Sequence, residues 1–320
     1  MISFRKKSGS PLLRDLPGDR VAMSRGFRLW PASFLFLLLV SFVGCCAKDY
    51  NLLHPLRPTP GICRETEIFD CGLLRVHWVA YYADGRGRLP AVLIHPDAGG
   101  TADDMEGICL NLAQRGYFAA AAHYQRLDNL KEKNPLIGCR SFEEGAVSYE
   151  HLLGHPRVDG RLVGLLGFSK GGTHSLLLGT TRPAIAAIVA YYPLVDFEEW
   201  LDPGRYAFPE SLRFRVRRRH IMKELRVTAW EEALPELRAA SPINHVARIH
   251  APVLLVHGES DRTVPVAQSE RLCRAIEAAK GSCELLIVPG AGHVFNFRDR
   301  VQARVTWDRT LEFLDRHLKK

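Results

Sequence analysis

The chain has 320 residues, of which 47% are hydrophobic and 24% are charged, and it shows no internal repeat or low-complexity tract. This composition predicts a globular protein, and the length suffices for one large α/β domain with an insertion. Much of the net charge of +8 lies in the N-terminal tail and in the run Arg213–Arg219. Since no nucleic-acid motif accompanies either region, we expect no nucleic-acid partner and interpret the run as the solvated face of an inserted helix.

The first 46 residues have the pattern of an export signal. An apolar stretch, residues 29–47, follows the positive Arg25 and Arg28, as an h-region follows an n-region. Its core is shorter than the roughly 20 apolar residues that a membrane span needs. Because Met1 would give an unusually long n-region, we expect translation to start at Met23.

The end of this stretch, Gly44-Cys45, resembles a bacterial lipoprotein signal, in which a small residue precedes the modified cysteine. The resemblance implies cleavage before Cys45, lipidation of its sulfur, and a protein held at a membrane surface in the cell envelope or periplasm. A cleaved signal that releases a secreted enzyme and an uncleaved anchor are the alternatives.

Six further cysteines agree with an oxidising compartment. None has the paired C-x-x-C spacing of a zinc site, and the sequence predicts no metal or organic cofactor. Six free thiols are the alternative to disulfides. The pairs that the spacing favours are Cys63–Cys71 and Cys273–Cys283, which leaves Cys109–Cys139.

Beyond a proline-rich linker at residues 47–64, strands and helices alternate through residues 65–320. This alternation predicts a mainly parallel, twisted sheet with helices on both faces. Residues 194–240 interrupt the alternation with aromatic residues among charges and prolines, and we interpret them as a helical cap insertion over the pocket. The predicted strands lie near 65–69, 74–82, 91–95, 118–122, 162–166, 184–192, 251–258 and 283–289, and the predicted helices near 102–115, 142–153, 173–179 and 266–279.

Ser169 is the candidate nucleophile. Residues 167–171 read G-x-S-x-G between an apolar run and a helical stretch, which is the strand–turn–helix context that this pattern requires. The glycines two residues to either side leave room for the sharply turned backbone. Such a turn pushes the serine hydroxyl out of the sheet, where a base can reach it.

A base and an orienting acid follow in the order expected for a serine nucleophile in an α/β sheet. Asp261 lies in the loop after the strand 251–258, and His293 lies in the glycine-containing loop after the strand 283–289. Both loops are at the carboxyl edge of the predicted sheet, where open α/β sheets place their sites.

Two other carboxylates are weaker candidates for the acid. Asp196 follows the strand that ends at residue 192, where some hydrolases place this residue. Glu259 could serve only if its loop turned differently.

The loop after the strand 89–95 is the candidate oxyanion site. Two backbone N–H groups must point at the developing negative oxygen, and one is expected from Lys170, the residue after the nucleophile. Pro96 has no N–H, so Asp97 or Ala98 must supply the other, and we assign it to Asp97.

Together these motifs resemble the α/β-hydrolases of the dienelactone hydrolase and prolyl oligopeptidase group, over about residues 65–318. The resemblance implies the α/β-hydrolase fold and a catalytic triad of Ser169, Asp261 and His293. It favours Asp261 over the two other carboxylates because the loop from Gly258 to Asp261 is similar to the acid loop of this group. Dienelactone hydrolases usually have cysteine where this chain has serine, and the β-propeller of prolyl oligopeptidases has no room ahead of the strand near Leu89. The matching segments are His95–Gly100, Arg115–Tyr117, Val158–Arg161, Gly167–Gly172, Ser241–Ile243, Ala251–Pro265 and Pro289–Phe295.

The predicted function is hydrolysis of carboxylic esters through an acyl-enzyme, with a small-molecule ester or a peptide as the substrate. A serine peptidase of the prolyl oligopeptidase type is one alternative, because ester and amide cleavage use the same triad. An inactive hydrolase fold that acts as a cell-envelope binding module is the other, and the intact Ser–Asp–His order argues against it. The sequence does not indicate an oligomeric state.

Overall fold

An eight-stranded sheet forms the centre of the protein in the computed structural model, which describes residues 48–127 and 140–319. The strand order is β1-β2-β4-β3-β5-β6-β7-β8. The pairings β1–β2 and β2–β4 are antiparallel, and the pairings from β4 through β8 are parallel. The strands are β1 (Ile62–Cys71), β2 (Leu74–Ala83), β3 (Leu89–His95), β4 (Phe118–Arg126), β5 (Val158–Phe168), β6 (Ala187–Tyr191), β7 (Val253–Gly258) and β8 (Cys283–Val288).

Helices cover both faces of this sheet, so the predicted layer arrangement is confirmed. One face packs against α1 and α8, and the other packs against α2, α3 and α7. The helices are α1 (Glu106–Gln114), α2 (Arg140–Gly154), α3 (Lys170–Thr181), α4 (Phe197–Trp200), α5 (Glu210–Leu225), α6 (Trp230–Ala239), α7 (Ala267–Ala278) and α8 (Arg300–Leu318).

The apolar runs of the sequence become central strands because both of their faces are buried. In β3, Val92 and Ile94 face the α1/α8 side, whereas Ala91 and Leu93 face the opposite side. All four side chains are fully buried. This strand therefore ends at the carboxyl edge of the sheet in a rigid position.

Helix α8 was not among the predicted elements. Its sequence is rich in Arg, and its apolar residues lie on two sides of the helix. Trp307, Leu311 and Leu314 are buried against the sheet, whereas Val301 and Val305 are exposed. The buried apolar residues of α8 do recur with the helical period, but the many charged residues between them made this pattern hard to recognise in the sequence.

The expected helical insertion lies between β6 and β7 and consists of α4, α5 and α6. It has a hydrophobic cluster of its own, which includes Trp200, Phe214 and Leu237. The Trp200 indole N–H donates to the carbonyl oxygen of Thr263 at 2.8 Å, which joins the insertion to the loop after β7. Its position over a substrate pocket stays a prediction.

One of the three expected disulfides is present and two are wrong. Cys273 and Cys283 are bonded, with their Cα atoms 5.5 Å apart, and join α7 to β8. Cys63 and Cys71 are free thiols at opposite ends of β1, roughly 26 Å apart at the rise of an extended chain. Cys109 is a free, buried thiol and so is not paired with Cys139, which itself lies outside the described residues.

The expected export signal and the lipidation site at Cys45 also lie outside the described residues. Within residues 48–127 and 140–319, no helix has the length and apolar character needed to cross a membrane.

Candidate active site

Ser169 lies on a sharp turn between β5 and α3. Its φ of 51° and ψ of −115° fall in a region that non-glycine residues rarely adopt. A Cβ on Gly167 would lie 2.2 Å from the Gly171 carbonyl oxygen, and a Cβ on Gly171 would lie 2.1 Å from that of His95. Only glycine fits at both positions, so the spacing of the predicted motif is a steric requirement of this turn.

The three residues expected to form a triad are brought together. The Ser169 hydroxyl oxygen lies 3.0 Å from Nε2 of His293, and Nδ1 of His293 lies 2.6 Å from Oδ2 of Asp261. A carboxylate only accepts hydrogen bonds, so Nδ1 carries the proton and the lone pair of Nε2 faces the serine. This tautomer is the one that can remove a proton from the hydroxyl group.

Asp261 is held ionised by its hydrogen bonds. Burial alone raises the pKa of this carboxyl, but hydrogen bonds from His257 and His293 and from the backbone of Val264 outweigh burial and hold the pKa below its usual value. Oδ1 accepts from the N–H groups of Thr263 and Val264 at 2.8 and 2.9 Å. The carboxylate therefore has a fixed orientation and keeps its negative charge beside the histidine.

The acid loop and the histidine loop touch each other directly. A Cβ on Gly258 would lie 2.4 Å from the carbonyl oxygen of Ala291. The N–H of Ser260 donates to that same oxygen at 2.9 Å, and the Glu259 carboxylate accepts from the N–H of Gly290 at 3.0 Å. Glu259 thus braces the histidine loop and does not contact His293.

Asp196 does not reach the histidine either. Its Oδ1 accepts from the N–H of Glu199 at 3.0 Å and caps α4, and its Oδ2 accepts from the Arg271 guanidinium at 3.0 Å. The alternative acid is therefore engaged in structural contacts, and Asp261 is the carboxylate beside His293.

His257 supports the acid, a role that the sequence analysis missed. This residue is fully buried at the end of β7. Its Nε2 faces two acceptors, the Val264 carbonyl oxygen at 2.9 Å and Oδ2 of Asp261 at 3.4 Å, so Nε2 carries a proton. In the neutral ring, the Ser269 hydroxyl donates to Nδ1 at 2.7 Å. The signal for this role was the histidine directly before Gly258 at the strand end.

Asp97 is buried at the carboxyl end of β3 and is clamped by the expected linker. The Lys48 ammonium group and the Tyr50 hydroxyl both donate to its carboxylate, the latter at 2.8 Å. Burial and the Asp97 charge raise the pKa of Tyr50, which keeps this donor protonated. Among the described residues, no hydrogen bond uses the backbone N–H of Asp97 or Ala98. The loop therefore keeps both amides as possible oxyanion donors.

Tyr192 is a second residue that the sequence analysis missed. It is fully buried just after β6, with an unusual φ of 39°. Its ring packs edge-on against His293 at 4.7 Å between centroids, and its hydroxyl donates to Oδ1 of Asn296 at 2.6 Å. The tyrosine thus limits the rotation of the imidazole. The pattern of the β6 strand end carried no signal for this contact.

This arrangement can perform acyl transfer. The backbone N–H of Lys170 opens α3 at the helix end that favours negative charge, and the Asp97 loop follows the neighbouring strand β3. A carbonyl carbon at the Ser169 hydroxyl could therefore be attacked while its oxygen meets these amides. Within the described residues, no group of His, Cys, Asp or Glu side chains is arranged to hold a metal ion.

Comparison with known sequences gives a match to one family over most of the chain. The profile described as "Dienelactone hydrolase family" matches residues 78–318. The chain is 26% identical to the "Probable 2-oxo-3-(5-oxofuran-2-ylidene)propanoate lactonase" of a Bradyrhizobium species. That alignment covers 72% of this chain and 86% of the relative.

Solved structures show the same fold at low sequence identity. The esterase Est2 of Thermogutta terrifontis aligns with a TM-score of 0.59 and 20% identity, over 82% of this chain and 96% of the esterase. The acylaminoacyl peptidase of Pyrococcus horikoshii aligns with a TM-score of 0.66 and 17% identity, over 82% of this chain and 43% of the peptidase. The fold is therefore that of the α/β-hydrolases, as the resemblance implied.

Proposed function

The chain belongs to the dienelactone hydrolase family and is a serine hydrolase, and from that premise we propose that Ser169, His293 and Asp261 cleave esters of small carboxylic acids. The observation that carries this assignment of roles is the continuous hydrogen-bonded series from Ser169 Oγ through His293 to Asp261, with steps of 3.0 and 2.6 Å. An inactive binding module would have no need for this geometry.

The reaction proceeds in two half-reactions. The Ser169 oxygen attacks the ester carbonyl carbon while Nε2 of His293 takes the hydroxyl proton, and Asp261 stabilises the resulting imidazolium. The tetrahedral intermediate collapses, the alcohol leaves with the proton from Nε2, and the acyl group stays on Ser169. Water then attacks the acyl-enzyme, gives its proton to His293, and the acid is released as Ser169 regains its proton.

The oxyanion is stabilised by the backbone N–H groups of Lys170 and Asp97. A negative carboxylate near a developing negative oxygen would oppose the reaction. Lys48 and Tyr50 offset the Asp97 charge, so that the amides of this loop can act without that penalty. Loss of one oxyanion donor costs on the order of 10²- to 10³-fold in rate.

A peptidase is the second candidate. The observation that favours it is the fold likeness to the Pyrococcus acylaminoacyl peptidase, whose TM-score of 0.66 is above that of the esterase. Family membership weighs toward esters. A panel of acyl esters and matched aminoacyl amides, assayed with the purified protein, separates the two, and kcat/KM at least 100-fold higher for the amides would overturn the ester assignment.

The nucleophile is tested by covalent labelling. We expect a serine-directed phosphonate to modify Ser169 and the Ser169→Ala variant to lose both labelling and ester hydrolysis while it unfolds at the wild-type temperature. Ser260→Ala, in the exposed part of the acid loop, is the matched control and should keep both. Labelling of another serine in the Ser169→Ala protein would contradict the assignment.

We further propose that the mature protein is held at a membrane surface outside the cytoplasm through lipidated Cys45. The support is the apolar stretch behind Arg25 and Arg28, the Gly44-Cys45 ending, and the Cys273–Cys283 disulfide, which suits an oxidising compartment. Mass spectrometry of the N-terminal peptide tests this. A diacylated Cys45 would support the proposal, and an intact peptide that begins at Met1 or Met23 would overturn it.

A further inference from the structure

Helix α5 of the insertion exposes an apolar ridge. Phe208, just before the helix, is 82% exposed, Leu212 is 54% exposed, and Val216 is 63% exposed. Leu212 and Val216 are four residues apart and therefore lie on one side of the helix, and Phe208 precedes its first turn. The opposite side is the one that packs inward, through the buried Phe214 and Ile221. The ridge is thus an outer surface of the insertion and not part of its hydrophobic cluster.

Cations surround this ridge. Arg213, Arg215, Arg219 and Lys223 are exposed on the same helix. An open groove of about 740 Å³ runs beside them and is lined by Arg215, Arg218, Arg219 and Lys223. Between residues 206 and 223 the sequence contains a single acidic residue, Glu210. The surface therefore combines exposed apolar groups with a concentrated positive charge.

The helix is fixed in this orientation by its inner arginines. The Arg217 guanidinium lies 4.8 Å from the Trp200 ring centroid, and the Arg218 guanidinium lies 3.8 Å from that of Trp230. Such stacking over an aromatic face is favourable. It holds these two arginines half-buried against the insertion, where Arg218 also borders the groove. The outer arginines are thereby left to face solvent together with the ridge. The sequence-based interpretation of the run as the solvated face of an inserted helix is confirmed for Arg213, Arg215 and Arg219, whereas Arg217 and Arg218 are half-buried.

We propose that this face of α5, defined by Phe208, Leu212, Val216, Arg215 and Arg219, docks on an anionic phospholipid membrane. Apolar side chains that recur along a helix with interspersed arginines match the boundary between acyl chains and headgroups. Guanidinium groups bind headgroup phosphates, and each cation near an anionic surface adds to the attraction. A phosphate-binding surface for nucleic acid would have no use for an exposed ridge of Phe, Leu and Val.

This contact goes beyond the proposed function and does not depend on Cys45. An N-terminal lipid anchor would tether the protein without fixing how its hydrolase domain is turned. A second contact through α5 would fix the orientation of the domain on the surface. The two proposals can therefore fail separately.

Hydroxyl-radical footprinting of the full chain tests the docking face residue by residue. The protein is oxidised alone, with phosphatidylcholine vesicles, and with vesicles of equal parts phosphatidylglycerol and phosphatidylcholine. We expect oxidation of Phe208 and Leu212 to fall at least threefold with the anionic vesicles only. Ile68 and Leu73, which are similarly exposed beside the acidic Glu67 and Asp70, are the internal control and should not change.

Charge reversal supplies the second arm. Arg215→Glu combined with Arg219→Glu should abolish the protection of Phe208 while hydrolysis of a soluble ester stays at the wild-type rate. Arg86→Glu combined with Arg88→Glu, in the exposed turn between β2 and β3, is the matched control and should keep the protection.

Three outcomes would overturn the proposal. Equal oxidation of Phe208 with and without anionic vesicles would show that the face stays in water. Protection without vesicles that grows with protein concentration would show that a second copy covers it. Oxidation of Phe208 that is already low without vesicles, compared with Ile68, and does not vary with protein concentration would show that the chain's own N-terminal segment covers the face.

Discussion

Three residues with a positive φ meet at the active site. Ser169, Tyr192 and Val294 have φ values of 51°, 39° and 55°. Ser169 is the candidate nucleophile, Tyr192 packs against the His293 ring, and Val294 directly follows His293. Backbone strain of this kind costs on the order of 1–3 kcal/mol per residue and persists only where the surroundings enforce it. Ser169 and Tyr192 directly follow strands β5 and β6, and Val294 lies in the loop after β8. The sheet therefore holds these backbone conformations in place.

The role of Asp261 is tested by removing its charge without changing its shape. In Asp261→Asn, the amide cannot hold the His293 tautomer that faces the serine, and we expect kcat to fall on the order of 10³- to 10⁴-fold. Steady-state kinetics on an activated ester measures this. Asp196→Asn, which removes one of the two carboxylates beside Arg271, should change kcat less than threefold, and the reverse result would move the acid to the loop after β6.

The same carboxylate makes stability depend on pH. Its hydrogen bonds outweigh burial and lower its pKa in the folded state, so it stabilises the fold above the unfolded pKa of about 3.9. This contribution is lost as the pH falls toward the folded pKa. We expect the free energy of unfolding to drop more steeply between pH 5 and 3 in the wild type than in Asp261→Asn. Urea unfolding at a series of pH values measures this, and parallel curves would contradict it.

That the three candidate triad side chains meet could be predicted from sequence, because each of these residues follows a strand at a short distance. Ser169, Asp261 and His293 each lie within five residues of a strand end. The clamp on Asp97 could not be predicted, because Lys48 and Tyr50 come from a proline-rich segment with no periodic pattern. Their contact joins positions nearly fifty residues apart. It depends on the path of the chain and not on a local motif.

At the scale of elements, the loops after β7 and β8 act as one unit. We expect Gly258→Ala to push the Ala291 carbonyl away, because the new Cβ would lie 2.4 Å from that oxygen. His293 should shift with its loop, and kcat should fall at least tenfold while the protein stays folded. Gly87→Ala, where a Cβ meets nothing within 4 Å, is the control. Kinetics together with circular dichroism tests this, and wild-type kcat in Gly258→Ala would contradict it.

The disulfide between α7 and β8 stabilises the edge of the sheet. It closes a loop with a sequence separation of 10, for which the chain-entropy relation gives about 2.7 kcal/mol of stabilisation. We expect the Cys273→Ser, Cys283→Ser double variant to lose about that free energy of unfolding in denaturant while kcat stays near wild type. Cys71→Ser, at an exposed free thiol, should change neither. A double variant as stable as the wild type would show that the bond carries no such constraint.

Strands were easier to predict than helices in this chain. The central strands are continuous apolar runs, because they are buried on both faces, and such runs stand out in a sequence. Helix α8 and the outer face of α5 mix arginines with apolar residues, and only the packing shows which apolar side chains are buried and which are exposed. In α8 the apolar side chains that face the sheet are buried, whereas in α5 part of the apolar set is exposed.

On the scale of the whole molecule, the sheet depends on α8 to cover one of its faces. Leu314 is fully buried in that layer, and with Leu318 it fills the space above Gly164 of β5. We expect Leu314→Ala to lower the free energy of unfolding by about 2–5 kcal/mol. Val305→Ala, on the exposed side of the same helix, should change it by less than about 0.5 kcal/mol. Urea unfolding measures both, and equal effects would mean that α8 is not part of the core.

The clamp on Asp97 also bears on how this enzyme should be dissected. The family profile begins at residue 78, yet Lys48 and Tyr50 hold the loop expected to bind the oxyanion. A recombinant fragment cut at the family boundary would omit both residues and all of β1. A low turnover of such a fragment would result from the missing residues and would not measure the activity of the whole enzyme. For the same reason, natural proteolysis just after Tyr50 would be an irreversible way to reduce activity while leaving the triad intact.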